Sequence, residues 1–147
     1  MKTLWDPAAR AELCDRIGRL TPEASRRWGT MSAPQMVAHL VDSLRMALGE
    51  LPVTSKNLPL RFTPIKQLVI YWMPFPKSAP TAPELVARVP TDWPGDCASL
   101  ITLVERFAAR GRSAGWPDHP AFGRLTASQW GVLVYRHMDH HLRQFGV

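Results

Sequence analysis

Apolar positions recur with a helical period along most of this chain. Ala9, Leu13, Ile17 and Leu20 share one face of a stretch that Asp6 can cap and Pro7 can open, which predicts a first amphipathic helix over about 7–20. Ser32 and Gln35 have the spacing of a capping box, in which serine oxygen and glutamine side chain satisfy each other's backbone amides. Met36, Val37, Leu40, Leu44 and Ala47 then form the apolar face of a second helix, with Gly49 near its end. Leu100, Leu103, Val104, Phe107 and Ala108 repeat the pattern, with Asp96 read as the cap and Gly111 as the stop. Thr126 and Gln129 give a second capping box, and a last helix runs from Ala127 to about Phe145.

The connections are as telling. Residues 51–62 read as a loop, after which Thr63-Pro64 can open a short helix through IKQLVIYWM, with a strand as the alternative, until Pro74 and Pro76 stop it. Prolines punctuate FPKSAPTAPELVARVPTDWPG, which reads as a surface connection with at most a helical turn near Glu84 to Arg88. Four long helices, one short one and long connections predict an all-α bundle, folded as a single domain over 1–147. No repeat or low-complexity tract interrupts it.

Composition agrees: 46% of the 147 residues are hydrophobic and 20% charged, a balance that supports one core. The net charge of +6, from 18 basic against 12 acidic residues, is scattered and never gathers into a block. A nucleic-acid binder concentrates charge on one face, so the excess suits solubility or small anions and no nucleic-acid partner is expected. Cys14 and Cys97 lie far apart in no metal or disulfide pattern, which leaves them as buried free thiols. The longest apolar run, LVIYWM, is far short of the roughly 20 residues of a membrane span, and the first residues lack a signal-peptide core. A cytoplasmic protein without a membrane partner is the expectation.

Chemistry concentrates in YRHMDHHLRQFG, residues 135–146. Four residues apart on a helix, His137 and His141 sit about 40° from each other and can aim at one point, the spacing of paired metal ligands. Trp130, Leu133 and Val134 share their side of the helix, whereas Arg136, Asp139 and Arg143 fall on the side read as solvated. His140 could replace His141 through an i, i+3 pair, but it lies at the edge of the stripe, where exposure is expected. A third ligand has two candidates. His39 flanks the apolar face of the second helix; His119 precedes Pro120 in a loop, where its ring could bond a carbonyl and pin the turn. Asp42 and Ser43 beside His39, and Gln144 beside His141, are candidates for orienting the ligands or a bound water. Trp28, Trp130 and Phe122 read as core residues, with a pocket wall as the alternative. No Ser-His-Asp order, phosphate loop, GxGxxG or paired-carboxylate motif offers a different chemistry.

RRWGTMSAPQMVAHLVDSLRMALG at 26–49 and HPAFGRLTASQWGVLVYRHMDHHLRQFG at 119–146 resemble the DUF1569 branch of the DinB-like superfamily, also called the DinB/YfiT-like fold. The resemblance implies a four-helix bundle in which one histidine of an early helix and an H-x3-H pair of a late helix hold a divalent metal, zinc or nickel. On this chain those positions are His39, His137 and His141; His119 is not in the implied ligand set. Three neutral imidazoles leave coordination positions open, as in catalytic centres. The resemblance further implies a metal-dependent transferase acting on a small-molecule substrate with a low-molecular-weight thiol as cofactor. Hydrolysis by activated water and a non-catalytic, homodimeric binding or stress-response module are the alternatives.

Overall fold

The computed structural model describes residues 1–77 and 81–147; Ser78, Ala79 and Pro80 of the proline-rich connection lie outside the described residues. Among the described residues five helices carry the fold: α1 Pro7–Gly18, α2 Ala33–Ala47, α3 Ile65–Tyr71, α4 Trp93–Arg110 and α5 Ala127–Gln144. Single 3-10 turns at Pro59–Arg61 and Pro83–Leu85 break the connections, and no strand occurs among the described residues. The architecture is an all-α bundle of α1, α2, α4 and α5, with α3 docked on α5.

Local chemistry sets the helix starts. Ser32 Oγ accepts from the Gln35 amide at 3.3 Å while Gln35 Oε1 accepts from the Ser32 amide at 2.8 Å, and Thr126 and Gln129 repeat the exchange at 3.2 and 2.8 Å. Each box satisfies donors that a helix start leaves without partners. α4 begins earlier than the sequence reading places it: Asp92, not Asp96, is the cap, accepting from the Gly95 amide at 3.1 Å. Pro94, taken as a loop signal, sits in the first turn, where a proline has no donor to lose. Asp96 is thereby moved inside the helix and buried.

α2 is the central helix. Only Pro34, Gln35 and Arg45 of its residues escape burial, because α4 and α5 and the 83–85 turn all pack on it. α5 carries its neighbours on both sides. The N-terminal segment crosses it at Gly131, whose carbonyl accepts from the Leu4 amide at 3.1 Å, while Trp5 Nε1 donates to the Ala127 carbonyl at 2.9 Å. Trp5 then packs at a tilt on Phe107 of α4 and edge-on against Trp116, joining α4 to α5.

Two residues of α5 read as solvated are not. Arg136 donates to the carbonyls of Val69, Ile70 and Met73, closing the C-terminal end of α3. Asp139 pairs with the buried Arg16 of α1 at 2.8 Å as well as with the exposed Arg143. A helix wheel shows one helix's own faces; here α3 and α1 occupy the space beside the polar side. Cys14 and Cys97 are free and half-buried. No helix among the described residues is long and apolar enough to cross a membrane.

Candidate metal centre

Where α2 meets α5, three imidazoles converge. His39 is buried on α2, and His137 and His141 face it from successive turns of α5. Nε2 of His137 lies 3.1 Å from Nε2 of His39 and 3.1 Å from Nε2 of His141. The ligand-capable atoms of the three all fall within 4.8 Å of one another. Nitrogens held by one tetrahedral ion at about 2.0–2.1 Å stand about 3.3 Å apart, so the two separations from His137 match those of ligands sharing a metal.

Hydrogen bonds at the far ring nitrogens decide what faces that point. His39 Nδ1 is 3.0 Å from the Leu85 carbonyl, which can only accept, so the proton sits on Nδ1 and Nε2 presents a lone pair. Gln144 does the same for His141. Its Nε2 donates to the Trp28 carbonyl at 2.6 Å, which turns Oε1 toward His141 Nδ1 at 3.1 Å. That bond places the His141 proton on Nδ1 and leaves its Nε2 bare as well. Two bare nitrogens thus meet His137 Nε2, which could donate a proton to only one of them. A cation satisfies all three lone pairs at once.

Electrostatics keeps the rings neutral. Burial pushes the His141 pKa down to about 3, reinforced by His39. Burial also lowers His39, against the opposing pull of the Leu85 bond and Asp42, and holds His137 well below the ordinary range, helped by its histidine neighbours. Neutral imidazole is the metal-binding form.

The other candidates are placed as follows. Asp42, a candidate for orienting His39, faces Arg45 and Arg88 at 3.4 Å each, and the Leu85 carbonyl takes the His39 bond. Ser43 Oγ is buried without a hydrogen-bond partner among the described residues. His140 is half-buried between Trp28 and Phe75, each ring centre 5.9 Å away, with Lys77 over Trp28. His119 stands apart: its Nδ1 accepts from the amides of Ala121 and Phe122 instead of donating to a carbonyl. Trp130 and Phe122 belong to the core. Leu85, the Trp28 carbonyl, Phe75 and Arg88 were not foreseen as parts of this region.

The sequence pattern described as "Protein of unknown function (DUF1569)" matches residues 6–146, nearly the whole chain. The chain belongs to the DUF1569 family. Neither a curated protein nor a solved structure matches it significantly. For this DUF1569 chain the chemistry must therefore be argued from the site. Clefts of about 500 Å³ between α2 and α4 and about 550 Å³ at the start of α5 are not lined by the three histidines, so the ring nitrogens alone carry the reading.

Proposed function

We propose that this DUF1569 chain is a DinB-like bundle that holds a divalent transition ion, zinc or nickel, on His39, His137 and His141. It acts as a metal-dependent enzyme on a small-molecule substrate, in the form of a thiol-dependent transferase. The observation that carries the metal reading is the convergence of three Nε2 atoms at 3.1 Å steps, two of them held as lone pairs by Leu85 and Gln144. When bound, an ion with three neutral imidazoles supplies Lewis acidity and exchangeable positions for a thiol or a water. The chain's part is to keep those rings unprotonated and aimed. A cytoplasmic setting suits Cys14 and Cys97, both free thiols.

The test is elemental analysis of protein purified without an affinity tag, beside His39→Ala and His137→Ala. About one equivalent of a transition metal, lost in both variants, is the expected result; full stoichiometry in either variant refutes the site. A cobalt-substituted protein should then change its visible spectrum on thiol addition. A silent spectrum at saturating thiol favours hydrolysis.

A second reading, a non-catalytic homodimeric module, draws on one observation. Around α3, Phe62, Ile65, Leu68, Trp72 and Met73 remain exposed, an apolar face that a second copy could cover. Sedimentation equilibrium separates the readings: a dimer that Trp72→Ser dissociates, in a chain that takes up no metal, would favour the module.

A further inference from the structure

His39 is aimed by a backbone carbonyl, and that carbonyl belongs to a segment with little structure of its own. Leu85 ends the single 3-10 turn Pro83–Leu85, far too short to persist unaided. Its side chain is buried, which fixes one point of the segment. A second point lies three residues on, at Arg88.

Arg88 is the only residue of the 83–89 segment that forms an ion pair with the bundle among the described residues. Nη1 binds Asp96 of α4 at 2.6 Å, Nε reaches Asp42 of α2 at 3.4 Å, and Nη2 reaches the Ala38 carbonyl at 3.4 Å. Asp42 and Ala38 are positions i+3 and i−1 from His39, so the guanidinium grips α2 on both sides of that histidine. The carboxylates are nearly inaccessible, at 5% and 12% side-chain exposure, and among the described residues only Arg45 also pairs with Asp42. Such groups hold their cation strongly, because an unpaired carboxylate there is costly. A planar guanidinium spreads five donors over three nitrogens and so spans two carboxylates and a carbonyl, whereas an ammonium offers three donors from a single nitrogen and matches that spread less well.

We infer that Arg88 is a positioning residue for His39: by tying the 83–88 segment to α2 and α4, it keeps the Leu85 carbonyl on His39 Nδ1 and Nε2 free for the ion. The inference rests on the metal reading for its consequence, not for its geometry. Groups that orient metal-bound histidines typically change affinity by 10–100-fold.

The experiment compares wild type, Arg88→Met and Arg88→Lys by two readouts on folded protein. One is zinc affinity by competition with a chromophoric chelator. The other is the ring 15N spectrum of His39 in metal-free protein, which reports which nitrogen carries the proton. Arg88→Met should weaken zinc by up to about tenfold, the lower end of the range for a ligand's direct partner, and abolish the fixed Nδ1–H form, with Arg88→Lys between it and wild type. If Arg88→Met does not fold, the triple variant Arg88→Met, Asp42→Asn, Asp96→Asn removes the uncompensated charge along with the tether and should show the same two losses. A folded variant with wild-type zinc affinity and an unchanged His39 spectrum overturns the inference. No zinc uptake by wild type, with the fixed Nδ1–H form still lost in the variant, overturns the metal reading and leaves the positioning standing.

Discussion

Gln144 Oε1 sits 3.1 Å from His141 Nδ1, and the same side chain donates through Nε2 to the Trp28 carbonyl at 2.6 Å. A loop residue thus fixes an amide, and the amide fixes a ring proton. Gly29 belongs to this arrangement: at φ 78° it takes a turn that favours glycine, and a Cβ there would fall 2.3 Å from Gln144 Nε2.

Gln144→Ala should lower zinc affinity about tenfold or more, because the His141 proton is no longer held on Nδ1. The helical circular dichroism should persist. Wild-type affinity in the chelator competition would show that the ring is oriented without Gln144.

His140→Ala should retain a full equivalent of metal where His137→Ala and His141→Ala lose it. The ring of His140 packs between Trp28 and Phe75 and is not among the three that converge. Elemental analysis of the three variants decides it, and a comparable loss in His140→Ala would mean that the pair on α5 was chosen wrongly.

The helices were legible because their signals are local. Capping boxes at Ser32 and Thr126 and the 3.6-residue period act within a few residues, and they placed α2 and α5 nearly to the residue. Pro94 misled the reading of α4 because the same residue marks a loop or a first turn. The side-chain meeting of His39, His137 and His141 could be expected from spacing and resemblance together. The acceptor for His39 could not: a backbone carbonyl has no residue identity, and the charged neighbour Asp42 was instead claimed by Arg45 and Arg88. Arg136 and Asp139 were misread for a related reason, since their partners come from α3 and α1.

Gly131→Ala should destabilise the fold although alanine is the better helix former by up to about 1 kcal/mol. A Cβ at this position would lie 2.3 Å from Trp5 Nε1 and 2.5 Å from Thr3 Oγ1. Relief requires the N-terminal segment to lift and Trp5 to surrender its bond to Ala127. Such overpacking costs about 1–3 kcal/mol, so a net loss is expected in urea denaturation. A variant as stable as wild type would show that residues 1–5 are only loosely attached to α5.

Acid should destabilise the metal-free protein in a window set in part by His119. Burial pushes its pKa down to about 4 from an ordinary 6.5, and protonated Nδ1 could no longer accept from the Ala121 and Phe122 amides. Above 6.5 both folded and unfolded chains carry a neutral ring, and this residue contributes no slope. As pH falls from 6.5 toward 4 the unfolded chain binds the proton first, so stability is lost at up to about 1.4 kcal/mol per pH unit for one proton. His39, His137 and His141 shift in the same direction and add to the loss. His119→Asn offers the amides a carbonyl oxygen that does not titrate. Urea midpoints on chelator-treated protein should therefore show its stability falling less steeply between pH 6.5 and 4, by about one proton's worth of slope. An unchanged slope would mean that the His119 ring takes up its proton in the folded protein as readily as in the unfolded chain.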